Sequence, residues 1–310
     1  MICFDDKNEF HIEEPTALSL GKFDGVHRGH EALISHLREK KEEGLKAAVF
    51  TFDIPPKKLT ENNNYRVLST NAEKRKILEE RGVDYLLQCP FTKEIMMMEP
   101  EDFVDWIVRR LNVKSIVTGE DFCFGHDRRG DHRLLSKLAH KYGYELKVVE
   151  KLCYKKHEIS SSYIRDIIIK GDIETANFLL GYPFFVMGEV IYGRQLGRRI
   201  GIPTINTDIT SEKLLPPKGV YVTRVRIDDK SYRGVTNVGS KPTVNNSNKV
   251  GVETHIIDYS GDLYGRTLCV DFLHFLRPEK KFPSVDELKA QMLTDIEQSV
   301  NYYANITQMC

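Results

Sequence analysis

Ala17-Leu18-Ser19-Leu20-Gly21-Lys22-Phe23-Asp24-Gly25-Val26-His27-Arg28-Gly29-His30 is an apolar run closed by a glycine-punctuated turn and two histidines nearly one helical turn apart. That order predicts a strand, a tight turn and the start of a helix. In an open α/β sheet, ligands settle at the carboxyl ends of strands, and a helix amino terminus adds unpaired N–H groups and positive potential that suit a phosphate. Imidazoles at His27 and His30 add donors at the same spot. An isolated H-x-x-H string is most often a solvated loop. Here the flanking glycines and the preceding strand turn the reading toward an anion site.

Working outward, apolar β-type runs recur at 17–20, 47–52, 85–87, 115–118 and 146–149. Amphipathic helical patterns lie between them. One spans about 31–43 and stops at Gly44, one opens with the capping box Thr70-Asn71-Ala72-Glu73, and one follows Pro100 with Phe103, Ile107 and Leu111 at helical spacing. This alternation predicts an α/β half built on a parallel sheet with helices on both faces. Trp106 falls in the third helix and is expected to pack there.

From Pro183 the pattern changes to short β-rich runs, 185–190, 220–227, 232–238, 251–258 and 267–275, separated by Gly, Pro, Asn and Asp turns. A small antiparallel barrel is expected. A closing helix should follow from the capping box Ser284-Val285-Asp286-Glu287, with Leu288, Met292 and Ile296 on one face. At 310 residues the chain is long enough for two cores. The expected domains are 1–182 and 183–310, meeting at Gly181-Tyr182-Pro183.

Lys plus Arg and Asp plus Glu balance at 45 each, so no overall basic field draws in nucleic acid or an anionic membrane. Affinity for a polyphosphate has to come from local sites. No basic start followed by an apolar stretch opens the chain, and no segment stays apolar long enough to span a bilayer, so a cytoplasmic location is expected. Cys3, Cys89, Cys123, Cys153, Cys269 and Cys310 show no C-x-x-C spacing, which predicts reduced packing residues rather than a zinc site or a disulfide framework.

Two further segments carry chemistry in the first half. Thr118-Gly119-Glu120-Asp121-Phe122-Cys123-Phe124-Gly125 follows a predicted strand and is trailed by Arg128-Arg129-Gly130, bringing a carboxylate and cations to a strand end. Ile159-Ser160-Ser161-Ser162-Tyr163-Ile164-Arg165 offers hydroxyls for a helix amino terminus and a guanidinium about one turn in. A serine-rich cap alone is usually structural.

The three segments together, G-x-F-D-G-x-H-x-G-H, T-G-x-D-F-x-F-G-x-x-R-x-G and I-S-S-x-x-I-R, resemble the adenylyltransferase half of bacterial bifunctional riboflavin kinase/FAD synthetases, in the H-x-G-H nucleotidylyltransferase group. The resemblance implies that FMN phosphate attacks the α-phosphorus of ATP and expels pyrophosphate. On it, Gly21, Phe23, Asp24 and Gly25 form the ATP turn, His27 and His30 act at the phosphates, and Ser161, Ser162 and Arg165 hold the triphosphate. Asp121 orients flavin phosphate or adenosine, and Mg2+ bridging the phosphates is expected. The chain departs from the family at Ser162, where threonine is common, and at Asp53-Ile54-Pro55-Pro56, which lacks the histidine of the usual P-H-P.

In the second half, Gly193-Arg194-Gln195-Leu196-Gly197-Arg198-Arg199-Ile200-Gly201-Ile202-Pro203-Thr204-Ile205-Asn206 is the informative stretch. Its glycines let backbone approach a phosphate, and its arginines add charge. Thr204 and Asn206, two apart on one strand face, present oxygens that suit a hard cation such as Mg2+. The stretch resembles the riboflavin kinase module, whose P-T-A-N appears here as Pro203-Thr204-Ile205-Asn206. Gly219-Val220-Tyr221, Asn237-Val238-Gly239, Lys241-Pro242-Thr243, Glu253-Thr254-His255, Leu263-Tyr264-Gly265 and Phe275-Leu276-Arg277-Pro278 follow in family order.

That resemblance implies ATP contacts at Gly193, Gly197, Arg198, Gly201, Thr204 and Asn206, with Glu253 as general base for the ribityl 5′-hydroxyl. Arg277 and Phe282 fall in a segment that closes over flavin and nucleotide. The resulting expectation is a bifunctional enzyme making FMN from riboflavin and FAD from FMN, with small molecules as its partners; the sequence leaves the oligomeric state open. A riboflavin kinase with a weakened adenylyltransferase half is the alternative within that class. A catalytically silent flavin or nucleotide sensor would predict loss of His27, His30, Asn206 or Glu253, and all four are present.

Overall fold

The computed structural model describes residues 1–53, 65–193, 195–241 and 249–309. It divides into two compact units, Met1–Ser161 and Ser162–Cys310.

The first unit is an α/β layer structure. Strands β1 (Ile2–Phe4), β2 (Thr16–Leu20), β3 (Lys46–Phe52), β4 (Tyr85–Cys89), β5 (Val113–Gly119) and β6 (Glu145–Val149) form a parallel sheet in the order β1-β4-β3-β2-β5-β6. The predicted strands all form. The three-residue edge strand β1 and the small antiparallel pair β7 (Cys153–Tyr154) and β8 (His157–Glu158) went unpredicted, being too short to carry a period.

Helix α1 (Arg28–Glu42) lies against β2, β3 and β5. It starts three residues earlier than the apolar spacing suggests, because the glycine-rich Arg28-Gly29-His30 already adopts helical geometry. The opposite pleat face sends Leu18, Leu20, Ala48, Phe50 and Leu87 into a core with Phe103, Val104 and Ile107 of a helix over Pro100–Arg110. Helices therefore cover both faces, as the alternation requires. Each large apolar side chain buried here contributes about 1.5–3 kcal/mol. Trp106 packs beside this core at 5.8 Å from the Phe10 ring centroid.

Helix α2 (Asn71–Glu80) begins at the predicted capping box. Thr70 Oγ1 accepts from the Glu73 amide at 3.2 Å, and Glu73 Oε2 accepts from the Thr70 amide at 2.9 Å. Those two bonds satisfy amides that an α-helix leaves unpaired at its start.

In the second unit, strands β9 (Phe185–Ile191), β10 (Ile205–Asp208), β11 (Gly219–Ile227), β12 (Lys230–Lys241), β13 (Lys249–Ile256) and β14 (Thr267–Pro278) close into an antiparallel barrel in the order β10-β13-β12-β11-β14-β9. A long helix, Val285–Met309, follows; Ser284 Oγ accepts from the Glu287 amide at 3.2 Å. Ile296 and Val300 pack on Val220, Val235 and Ile257. The segment over β10 was expected as a glycine loop leading to a metal-binding strand face, and it supplies the strand that closes the barrel. Cys3, Cys89, Cys123, Cys153 and Cys269 are free thiols. Cys310 and the Pro242-Thr243 part of the Lys241-Pro242-Thr243 motif lie outside the described residues.

Candidate active sites in the two units

In the first unit the turn after β2 is held by its own residues. Phe23 and Val26 take positive φ of 48° and 34°, and Gly25 takes 82°. Two non-glycine residues at positive φ need external support. Asp24 gives it: its buried Oδ1 accepts from the amides of Leu68 at 2.8 Å and Ser69 at 3.0 Å. The Gly25 amide in turn donates to Ser69 Oγ at 2.9 Å. The Asp24 carboxylate is thus committed to shaping the turn, and Phe23 is fully buried beneath it.

His27 stands at the N-cap of α1, and no side chain caps the helix there. The His27 and His30 rings stack with centroids 3.9 Å apart, and Phe23 lies 4.8 Å from the His30 ring. Nδ1 of both imidazoles is enclosed and has no hydrogen-bond partner. A Cβ at residue 29 would approach the His27 ring to 3.1 Å, so glycine is what lets the ring lie against the helix start. Burial pushes the His27 pKa down to about 4 against the pull of Asp121, and burial pushes His30 well below its ordinary value, helped by His27 and Lys74. Both rings are neutral at physiological pH. Two neutral imidazoles at a bare helix amino terminus make a donor set suited to phosphate oxygens.

The other expected segments reach the same place in part. Ser161 Oγ donates to the Asp24 carbonyl at 2.8 Å, tying the serine cap to the turn. Ser161 also opens the helix Ser161–Ile169, on which Ser162 is exposed and Arg165 half-buried. Asp121 is exposed, acts on His27, and pairs with Lys151 Nζ at 3.3 Å. Of the arginines expected to gather with it, Arg129 does otherwise. Arg129 pairs with both carboxylate oxygens of Glu99 at 2.6 and 2.8 Å, and Gly130 exchanges backbone hydrogen bonds with Phe124 at 2.9 Å. Arg129 and Gly130 thus serve the fold.

Lys74 and Lys151 are the residues sequence reasoning missed here. On paper Lys74 is one polar position of an amphipathic helix, and nothing in its spacing marks it as buried.

The second unit assembles its candidate residues around Glu253. Strand register sets Asn206 of β10 and Asn237 of β12 directly opposite Glu253 of β13, one on each side. Cross-strand partners share a face of the sheet. Thr204 Oγ1 donates to Glu253 Oε1 at 2.5 Å, and His255 Nδ1 donates to the Pro203 carbonyl at 2.8 Å, fixing the segment that presents Thr204. A Cβ at residue 193 would fall 2.1 Å from the Asn206 amide nitrogen, and one at residue 197 would meet the Ile202 carbonyl oxygen at 2.3 Å. Gly193 and Gly197 therefore let the loop close onto Asn206 and Thr204. Arg198 and Gly201 are exposed at the loop's outer side.

Arg277 is anchored by two bonds to Asp295, at 2.8 and 2.7 Å, with Phe282 lying 5.8 Å from its guanidinium carbon. Among the described residues no cluster of three or more His, Cys, Asp or Glu forms a metal cage. The oxygens of Thr204, Asn206 and Glu253 are nonetheless the hard donors that Mg2+ takes, and Mg2+ commonly completes its shell with water and substrate phosphates.

A family model described as FAD synthetase matches residues 9–163, and one described as riboflavin kinase matches residues 180–303. The chain is 37% identical to a bifunctional riboflavin kinase/FMN adenylyltransferase of Escherichia coli strain K12, over 91% of each chain. A protein of the same description from Bacillus subtilis strain 168 is 34% identical over 94% of this chain and 93% of its own. A solved structure described as a macrolide-efflux protein from Streptococcus pneumoniae superposes with a TM-score of 0.86 at 30% identity, covering 97% of this chain and 98% of that one. Among the described residues no helix of the present chain is long and apolar enough to cross a membrane.

Proposed function

Since this chain belongs to the family of bifunctional riboflavin kinase/FMN adenylyltransferases, we propose that its two halves act in succession on one flavin: the second makes FMN from riboflavin and ATP, and the first makes FAD from FMN and ATP. The proposed halves are 1–182 and 183–310; the matched family models cover 9–163 and 180–303.

In the kinase half, Glu253 takes the proton from the ribityl 5′-hydroxyl as its oxygen attacks the γ-phosphorus of ATP, and ADP leaves. The observation that carries this is the grouping of Thr204, Asn206 and Glu253 on one barrel face under the Gly193 to Gly201 loop. Phosphoryl transfer needs positioning and charge neutralisation more than covalent help. Thr204 and Asn206 would hold Mg2+, which when bound neutralises charge on the phosphates. Gly193, Gly197, Gly201 and Arg198 receive the nucleotide phosphates, and Arg277 and Phe282 line the flavin side.

In the adenylyltransferase half, an oxygen of the FMN phosphate attacks the α-phosphorus of ATP and pyrophosphate leaves; no enzyme atom bonds to the substrate. His27 and His30 donate to the phosphate oxygens in the turn shaped by Gly21, Phe23, Asp24 and Gly25. Ser161, Ser162 and Arg165 hold the triphosphate tail, and Asp121 orients the acceptor. Free thiols and small-molecule substrates suit a cytoplasmic enzyme.

The experiment is to incubate the protein with riboflavin, ATP and magnesium chloride and separate the flavins by chromatography. FMN and FAD both form on this reading. FMN without FAD would instead favour the kinase-only alternative that the missing histidine in Asp53-Ile54-Pro55-Pro56 suggests. Formation of neither product would overturn the enzyme reading altogether.

A further inference from the structure

We propose that Lys74 is a positioning residue of the adenylyl-transfer site, a buried ammonium that sets the field at His30 and at the phosphates His30 binds. The inference rests on the adenylyltransferase reading of the first unit.

Lys74 lies in the first turn of α2, whose start is fixed by the Thr70 and Glu73 capping box, and is only 3% exposed. Its Nζ reaches the carboxyl end of β3, where it contacts Thr51 Oγ1 and the Phe52 carbonyl, each at 3.4 Å. An ammonium carries three donors. Among the described residues these two long contacts to neutral oxygens are all that Nζ makes.

Burying an ammonium costs several kcal/mol unless charged partners offset it. The carboxylates that act on it are Asp24, in the turn after β2, and Asp53, just beyond β3. Both are engaged elsewhere: Asp24 with the Leu68 and Ser69 amides, Asp53 with the Phe91 amide at 3.1 Å. On α1 the titratable group facing Lys74 is His30, stacked in turn on His27.

This is a buried ammonium with no direct carboxylate contact among the described residues, at the carboxyl end of a central strand and beside the imidazole assigned to phosphate. Its complement is an anion, and the triphosphate of ATP supplies one. Until the anion arrives, the ammonium disfavours protonation of His30 and so keeps that ring a neutral donor. The competing account is a mechanical staple between α2 and β3, which an unbranched apolar side chain of similar length would also provide.

The test uses the full chain. FAD formation from FMN, ATP and magnesium chloride is measured for the wild type, Lys74→Met and Lys74→Arg. Lys74→Met is expected to lose at least about tenfold in kcat with little change in KM for FMN, and Lys74→Arg to recover most of it, as for a charge acting on the transition state. Riboflavin phosphorylation by the same preparations stays unchanged.

A second readout needs no altered activity. In wild-type protein carrying carbon-13 lysine, the Lys74 side-chain resonance, assigned with Lys74→Arg, titrates near its burial-depressed value of about 8. It moves upward when inorganic pyrophosphate is added. If Lys74→Met makes FAD at the wild-type rate, or if the resonance ignores pyrophosphate, Lys74 is a staple and the proposal falls. Should the wild type itself make no FAD, the adenylyltransferase reading falls and takes this one with it.

Discussion

The Thr204 hydroxyl donates a 2.5 Å hydrogen bond to Glu253 across the β10–β13 pair, placing the expected general base against the segment expected to hold metal and nucleotide. The bond leaves one Glu253 oxygen, Oε2, to receive the substrate proton, and it fixes the rotamer that aims it. Glu253→Gln should abolish FMN formation, because an amide cannot take the proton, while FMN added directly still becomes FAD. Chromatography of the flavins from both incubations checks this. Loss of both steps in a folded protein would contradict the division into two sites.

Gly193 should be irreplaceable for the kinase step. A methyl there would overlap the Asn206 amide at 2.1 Å, and the Asn206 backbone is fixed between β9 and β13. Gly193→Ala is expected to lower kcat for FMN formation by about tenfold or more, since small misplacements of a reacting group carry large rate penalties. Conversion of supplied FMN to FAD serves as the internal control.

His30→Ala and His27→Ala should each cut FAD formation by about 10²–10³, the usual loss when one positioned donor to a developing oxyanion is removed. Riboflavin phosphorylation should persist in both. Rates of the two steps measured on one preparation decide the matter; equal loss of both would contradict the assignment.

Stability should fall on acidification because His27 is buried neutral. Its folded-state pKa near 4 lies below the ordinary 6.5, so the unfolded chain takes up a proton first as the pH drops. The folded state therefore loses stability between pH 6.5 and 4 and no further below that, by about 3 kcal/mol from this residue. Urea unfolding at pH 7 and pH 4 should show that His27→Gln loses about 3 kcal/mol less than the wild type over this range.

The Arg277 and Asp295 pair should matter to the second unit's stability as well as to flavin. Asp295 is almost fully buried and accepts two bonds from Arg277 and one from Gln291 at 3.0 Å. Asp295→Asn leaves the guanidinium without its counter-charge and should cost about 2–3 kcal/mol, less than a fully buried pair because Arg277 is partly exposed. Thermal unfolding followed by circular dichroism measures it, and an unchanged Tm would show the pair to be incidental.

Local pattern determined much of this protein. The alternation of apolar runs with amphipathic helices was enough for the parallel sheet, because strand and helix periods are properties of neighbouring residues. The capping box at Thr70 and Glu73 formed as spelled, since both its bonds span three residues. The H-x-G-H turn and the Thr204 to Asn206 segment read as donor- and acceptor-rich sites from the sequence itself, whereas Glu253 took its expected role from the resemblance to the riboflavin kinase module.

Only the tertiary structure decided which charges serve a site and which serve the fold. Arg129, expected among the cations gathered at the end of β5, instead clasps Glu99, while Asp24 spends its carboxylate on the amides of Leu68 and Ser69. Lys74, which no sequence motif singled out, is buried beside His30. The pairing of Asn206, Glu253 and Asn237 depends on strand register across the barrel. Burial and cross-strand neighbours arise from contacts between residues far apart in the chain, and no local spacing encodes them.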